Sequence, residues 1–287
     1  MHFLRKSSKM ALIGSEKMFN SHVHTQYSHD CSTPMEAMFI AAIREKVSGI
    51  AITDHCNADF CVSDNSYMNI LKSANEARLL RDKYSSQLKV GVGIELSDVL
   101  RKKDYAARLM KAIKPDCVII SVHNLMINNL PAHISRMNFA NMSDCEAYDI
   151  IRMYFSDLAA TVKEADFDIC AHLTLPLRYT NGVYGKKLAL RDFTTEIEKI
   201  LSTLIGRQKA LEINTSDVHH QLFDFMPGED IVSLYYNMGG RLVTIGTDAH
   251  LPQNISSGFT DAQKMLKKIG FDSYMFYQNR KPLSIPL

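Results

Sequence analysis

The chain has 287 residues, of which 46% are hydrophobic and 22% charged, the balance of a soluble globular protein long enough for one large α/β domain. Its formal net charge of +2 is too close to neutrality to indicate a nucleic-acid groove or a membrane surface as partner, and short basic runs such as Arg101-Lys102-Lys103 read as solvated faces. No apolar run approaches the ~18–20 residues of a transmembrane helix, and six cysteines without paired CxxC spacing read as reduced thiols of a cytoplasmic protein.

Residues 1–17 carry basic groups around an apolar run at 10–13 that is shorter than a secretory hydrophobic region. They are expected to form an N-terminal extension outside the core, with the folded domain over 18–287. A strand is predicted at 19–24, ending in His22-Val23-His24, whose period-two spacing sends both imidazoles to one face. Pro34 opens a helix over 35–45, with Ala37, Ile40, Ala41 and Ile43 as its apolar side. Strand 49–55 runs into Asp54-His55, helix 67–84 follows, and strand 90–96 carries Glu95. Helix 102–113 leads to strand 117–123 and His123, and helix 145–165 to strand 169–173 with His172. Helix 192–206, strand 210–215, helix 229–238, strand 242–248 and helix 259–269 complete the order, with Asp248-Ala249-His250 closing the last strand. Two long connections, 125–144 and 174–191, follow strands that end in histidine. Strands alternating with helices predict a parallel sheet with helical crossovers, and long loops at the ligand end of a barrel are where substrates are recognised.

The recurrence of metal-binding side chains at strand ends carries the functional reading. His22, His24, Asp30, His55, Glu95, His123, His172, Asp248 and His250 come from most of the predicted strands, and in a barrel those ends converge on one pocket. Six imidazoles with three carboxylates suit Zn²⁺, Mn²⁺ or Fe²⁺ better than Mg²⁺ or Ca²⁺, which prefer oxygen. The set is larger than one ion requires, so two to three ions with a bridging carboxylate are expected.

These motifs resemble the polymerase-and-histidinol-phosphatase (PHP) superfamily of metallophosphoesterases: His-Val-His-Thr at 22–25 with Asp30, Ile-Thr-Asp-His at 52–55, Gly-Ile-Glu at 93–95, Ser-Val-His at 121–123, Ala-His-Leu at 171–173 and Gly-Thr-Asp-Ala-His at 246–250. The resemblance runs from about residue 18 to the C-terminus. It implies a distorted (β/α)₇ barrel with a trinuclear site: His22, His24, Glu95 and Asp248 at one metal, Glu95, His123 and His172 at a second, and Asp30, His55 and His250 at a third. Length, the run Leu211-Glu212-Ile213-Asn214-Thr215-Ser216, the stretch Leu-Pro-Leu-Arg-Tyr at 175–179 and the tail from Gly258 to Pro286 resemble the histidinol-phosphate phosphatase branch. Two departures stand in this chain. Asp217-Val218-His219-His220 replaces a usual Gly and basic residue, and Thr174 replaces a common Asp.

The chemistry so implied is hydrolysis of a small-molecule phosphate monoester, L-histidinol phosphate first, with no nucleic-acid or membrane partner. Metal binding lowers the pKa of water from 15.7 to about 7, making a bridging hydroxide available as nucleophile. Asp248 is the candidate for orienting it, with His250 as the second catalytic candidate. Arg178, His219 and His220 are candidates for gripping the phosphate, the guanidinium through two parallel hydrogen bonds. Asp54 is a candidate for orienting a ligand imidazole. A PHP-type nuclease or nucleotide phosphoesterase is the alternative reading, and a non-catalytic metal-holding module the third. His2, His29 and His133 are left without a role, although His29 adjoins Asp30.

Overall fold

The computed structural model describes residues 17–58, 65–218 and 221–287, so the expected extension before Lys17 and the phosphate candidates His219 and His220 lie outside the described residues. Seven strands form the central sheet: β1 (Phe19–Val23), β2 (Gly49–Ile52), β3 (Lys89–Ser97), β4 (Cys117–Ser121), β5 (Ile169–Cys170), β6 (Ala210–Asn214) and β7 (Val243–Gly246). Each pairs in parallel with its neighbour in chain order, with Ile94 opposite Val118 and Ile245 opposite Ile213. Almost every strand residue is buried, as expected of a parallel sheet covered on both faces.

Helices α1 (Met35–Arg44), α2 (Ser66–Lys83), α3 (Lys103–Ile113), α4 (Asp144–Glu164), α5 (Thr194–Gly206), α6 (Glu229–Asn237) and α7 (Phe259–Ile269) occupy the connections, within about two residues of the predicted ends. The start of α4 is set by a capping box: the Ser143 hydroxyl accepts from Glu146 N–H, and the Glu146 carboxylate accepts from Ser143 N–H. α7 buries Phe259, Ala262, Met265 and Leu266 and turns Lys264, Lys267 and Lys268 outward, which is how an amphipathic helix seals one side of a barrel. Among the described residues no helix is long and apolar enough to cross a membrane.

The barrel is nearly closed, and its seam lies between β1 and β7. At the C-terminal edge two backbone bonds join the strand ends, Asp248 N–H to His22 O at 2.9 Å and His24 N–H to Ala249 O at 3.0 Å. Below them the buried Asn20 side chain stitches the seam: its Nδ2 donates to Thr247 Oγ1 at 2.6 Å and Ile255 O at 2.9 Å, while its Oδ1 accepts from His22 and Thr247 N–H at 3.1 Å. Two of the motifs are thus part of the closure itself.

Three local features depart from the predicted elements. Strand 49–55 is broken after Ile52 and resumes at His55–Asn57, which pairs with β3. Strand 169–173 is only two residues long, because the chain turns at His172, whose carbonyl accepts from Leu175 N–H at 2.8 Å. Two antiparallel hairpins add to the predicted strands. One, Asn124–Ile127 with Leu130–His133, lies in the first long connection, and the other, Ser273–Gln278 with Lys281–Pro286, forms the tail. The second closes the N-terminal end of the barrel: Phe276 stacks at 5.2 Å on Phe19, and the Tyr274 hydroxyl accepts from Phe19 N–H and donates to Lys17 O. The second long connection holds a short helical turn at Leu175–Leu177 widened into a π turn over Arg178–Val183, an irregularity common at functional sites.

Candidate metal centre

Strand ends bring the nine expected residues to one place at the C-terminal edge, and Glu95 stands at its centre. Its Oε2 lies 2.7 Å from His55 Nδ1, 3.2 Å from His22 Nε2 and 3.5 Å from His24 Nε2. Its Oε1 lies 3.1 Å from His172 Nε2 and 3.3 Å from His123 Nε2. One fully buried carboxylate therefore faces five imidazoles, shared between its two oxygens. Asp248 Oδ1 is 3.0 Å from His24 Nε2 and 3.7 Å from His22 Nε2. Asp30, at the rim, reaches His250 Nε2 at 3.3 Å and His55 Nε2 at 3.5 Å.

The electrostatics follow from this packing. Burial disfavours the imidazolium at His22, yet Glu212, Asp248 and Glu95 outweigh it and raise its pKa well above the usual value. His55 and His250 are raised in the same way against burial, chiefly by Glu95 and Asp30 for the first and by Asp30 and Asp248 for the second. His24 goes the other way, held well below the usual value by burial and by the neighbouring His55 and His250. Burial opposes ionisation of Glu95, Asp248 and Asp30, but the surrounding imidazoles keep all three below the ordinary carboxylate range.

Hydrogen bonds fix where protons sit. Ser28 Oγ donates its one proton to Asp54 Oδ1 at 2.8 Å, so at 3.0 Å from His24 Nδ1 it can only accept. His24 Nδ1 is then the protonated nitrogen, and the bare Nε2 lone pair points at two carboxylates. That atom is buried without a hydrogen-bond partner, as are His55 Nδ1, His172 Nδ1 and His250 Nε2. The His24 lone pair aimed at Glu95 and Asp248 in a buried cluster calls for a cation between them, and the donor set of imidazole with carboxylate fits borderline divalent metals. Three triplets have ligand atoms within 4.8 Å of one another: His22, His24 and Asp248; His55, Glu95 and His123; and His24, His55 and His250. Two of the nine expected residues carry left-handed backbone, His172 at φ 23° and Asp248 at φ 52°, strain of the kind that surrounding structure sustains at functional sites.

A cleft of about 80 Å³ above the cluster is lined by Asp30, His55, His123, His172, Asp248, His250 and Arg178. It adjoins a cavity of about 370 Å³ that shares Arg178, Tyr179, Asp248 and His250 and adds Ser216, Asp217 and Gln221. Arg178 Nη2 donates to Ser216 Oγ, whereas its Nε is buried without a hydrogen-bond partner and lies 3.7 Å from Asp217 Oδ1. Asp217 is itself buried and accepts from Leu222 N–H at 3.0 Å. Thr174 is buried at the start of the turn before Arg178.

Asp54 accepts from Thr25 N–H, Thr25 Oγ1, Ser28 Oγ and Ser73 Oγ, and is linked to the His24 imidazole through Ser28. His133, left without a role by the sequence, lines the cleft with its ring 5.7 Å from that of His123, and its pKa is pushed down to about 4 by burial first and then by His123 and Arg136. His29 also lines the cleft, 5.3 Å from His55. Asn20 and Ser28 lay unnoticed in the sequence, and Glu212 stood there only as one residue of the 211–216 run, without a role. For Glu212 the available signal was its position two residues before Asn214, the same strand-end pairing that marks His22 and His24.

Fold and site together define a parallel (β/α)₇ barrel with a multi-ligand histidine–carboxylate centre at its C-terminal edge. The PHP domain matches residues 20–216, well over half of the chain, and the chain belongs to that family. A probable histidinol-phosphatase of Thermotoga maritima is 28% identical over 275 residues, covering 94% of this chain and all of the relative. The histidinol-phosphatase of Lactococcus lactis is 24% identical and covers 92% of this chain and 96% of its own. The crystal structure of the L. lactis histidinol phosphate phosphatase, complexed with zinc, L-histidinol and phosphate, superposes with a TM-score of 0.76 at 23% identity, over 94% of this chain and all of that one, which establishes the shared fold.

Proposed function

We propose that the chain is a metal-dependent phosphomonoesterase that hydrolyses L-histidinol phosphate to L-histidinol and phosphate. The observation that carries the hydrolase reading is Glu95, whose two oxygens face separate groups of imidazoles as a carboxylate shared between ions would. The substrate reading is supported by full-length relatives named histidinol-phosphatase. His22, His24, Asp30, His55, Glu95, His123, His172, Asp248 and His250 are the proposed ligands of two to three Zn²⁺, Mn²⁺ or Fe²⁺ ions. When bound, such ions supply Lewis acidity toward a phosphate oxygen and a water of lowered pKa.

Within that reading the side chains divide the work. Ser28 holds the His24 proton on Nδ1 and so keeps Nε2 available as a donor atom. Asp248, between His24 and the cleft, accepts a hydrogen bond from the attacking water and aims it. Arg178 swings its buried Nε and its Nη2 from Ser216 and Asp217 toward phosphate oxygens, where a guanidinium matches the charge spread over the equatorial oxygens in the transition state. The leaving alkoxide takes its proton from a water at the cleft mouth, beside His250, whose Nδ1 is turned to the Asp248 carbonyl at 2.9 Å. The larger cavity takes the amino-alcohol portion, and the Asp217 carboxylate there suits an ammonium group better than a nucleotide's additional phosphates. A cavity of small-molecule size fits an enzyme acting on a soluble ester, for which the cytoplasm is the proposed setting.

The test is phosphate release from L-histidinol phosphate beside nucleotides and sugar phosphates, with Zn²⁺, Mn²⁺ or Fe²⁺ added and bound metal counted. A kcat/KM within ~10⁴–10⁸ M⁻¹s⁻¹ for histidinol phosphate, at least tenfold above the panel, is expected. A flat or nucleotide-biased panel would remove the substrate while leaving the phosphoesterase.

A further inference from the structure

Glu212 is buried with no exposure at all, and no step of the chemistry above uses it. Its Oε1 lies 2.6 Å from His22 Nδ1, and its Oε2 accepts the backbone N–H of His172 at 2.8 Å and Asn214 Nδ2 at 3.1 Å. One carboxylate on β6 thus touches the side chain of a β1 residue and the backbone of the residue after β5. A carboxylate only accepts, so His22 must carry a proton on Nδ1, which turns Nε2 toward Glu95 and Asp248.

A second observation comes from β7. A Cβ at Gly246 would stand 2.2 Å from Glu212 Oε1 and 2.6 Å from His22 Cβ. Gly246 is not among the glycines with left-handed backbone, so its conformation does not require glycine. Space does: the Glu212–His22 pair passes directly over this position.

We propose that Glu212 is the positioning residue of the metal centre, fixing the tautomer and ring orientation of His22 and the backbone of His172, with Gly246 as the notch that admits the pair. An imidazole that gives its second N–H to a carboxylate is a stronger and better aimed metal ligand, and loss of such a partner typically costs 10–100-fold in metal affinity. The inference rests on the reading of the cluster as a metal site but not on which ester is hydrolysed. Its readout is therefore metal binding without substrate.

Zn²⁺ and Co²⁺ affinities of the full chain are measured by chelator competition for the wild type, Glu212→Gln, Glu212→Asp and Gly246→Ala, together with the Co²⁺ absorption spectrum and the urea midpoint of the metal-free forms. The expected result is 10–100-fold weaker binding and a displaced Co²⁺ spectrum in Glu212→Gln and Gly246→Ala, with the metal-free midpoint near wild type in Glu212→Gln and lowered in Gly246→Ala, whose Cβ crowds Glu212 and His22. Glu212→Asp, whose charge is withdrawn by one methylene, falls between. Gly246→Ala should cost less in a Glu212→Ala background than alone, because the closer of its two clashes is then gone and only that with His22 Cβ remains. Wild-type affinity and spectrum in Glu212→Gln would overturn the proposal, and so would failure of both Glu212 variants to fold, which would make the residue a requirement of the barrel. A wrong substrate leaves all these measurements unaffected.

Discussion

The two ends of the barrel both bury carboxylates, but they treat them differently. At the N-terminal end Asp116 accepts from Val92 N–H and Asn279 N–H, both at 2.9 Å, and pairs with Arg81 at 3.3 Å. Asp168 accepts from Val118 N–H at 2.9 Å and from Arg280 Nε, whose Nη2 also reaches Asp166 at 2.8 Å. Each acid there receives a strand N–H, a guanidinium or both, and the tail hairpin seals the opening. At the C-terminal end Glu95, Asp248 and Asp30 face imidazoles, four ring nitrogens have no hydrogen-bond partner, and two residues sit in left-handed backbone. Asp116 and Asp168 are thus completed by protein donors, whereas Glu95, Asp248 and Asp30 face a cluster of imidazoles. A barrel can tolerate this because the completed end and the core carry its stability.

The largest effects should come from the C-terminal end. Glu95→Ala, His24→Ala and Asp248→Asn are expected to lose bound metal and about 10³-fold or more of phosphate release, ~4 kcal/mol of barrier, with the fold retained. Metal analysis and phosphate assay check this, and an unaltered rate would sink the ligand assignment. Arg178→Ala comes next, with a loss of about 10²-fold in kcat/KM that Arg178→Lys restores only in part, since a lysine lacks the forked donor geometry. The N-terminal end should show the converse. Arg280→Ala leaves Asp168 short of a donor and is expected to lower stability by about 1–3 kcal/mol while kcat of the metal-loaded protein stays within twofold. Removing metal should lower Tm by the same increment in wild type and in Arg280→Ala, additive within about 0.5 kcal/mol, because the two sites share no partners. Strong non-additivity in thermal melts with and without chelator would show that the ends are not independent.

This division also explains what could be read from the sequence. The seven barrel strands are apolar because both faces of a parallel sheet are covered, so they stood out as short apolar runs, and the helices between them as amphipathic stretches. The convergence of His22, His55, Glu95 and His123 was legible because side chains at the C-terminal ends of barrel strands have one place to go. Glu212 was not, since within Leu211-Glu212-Ile213 it reads as a single charge in a strand, and only tertiary structure shows that its partners are His22 Nδ1 and His172 N–H. His133 looked idle because its cleft position depends on a hairpin that returns the chain to His123, through Ile134 N–H to His123 O at 2.9 Å. Both hairpins escaped notice for one reason: their turns place Asn128-Asn129 and Asn279-Arg280 at positive φ without the Asn-Gly pair that usually signals such a turn.

Those turns supply the smallest and sharpest prediction, because one local change can be made at both ends. Asn129 has φ 64° and Arg280 φ 61°, so glycine at either position gives the preferred Asn-Gly turn and relieves left-handed backbone. Asn128, Asn129 and Leu130 are exposed, so Asn129→Gly is expected to be neutral or stabilising by up to about 0.5 kcal/mol in urea unfolding. At Arg280 the same relief is set against the ion pairs to Asp166 and Asp168, and Arg280→Gly is expected to destabilise by about 1 kcal/mol or more. Opposite signs would show that the tail turn is held by its contacts with the barrel floor. Stabilisation in both would mean that turn geometry outweighs the guanidinium, and that the N-terminal end is less completely satisfied than its hydrogen bonds indicate.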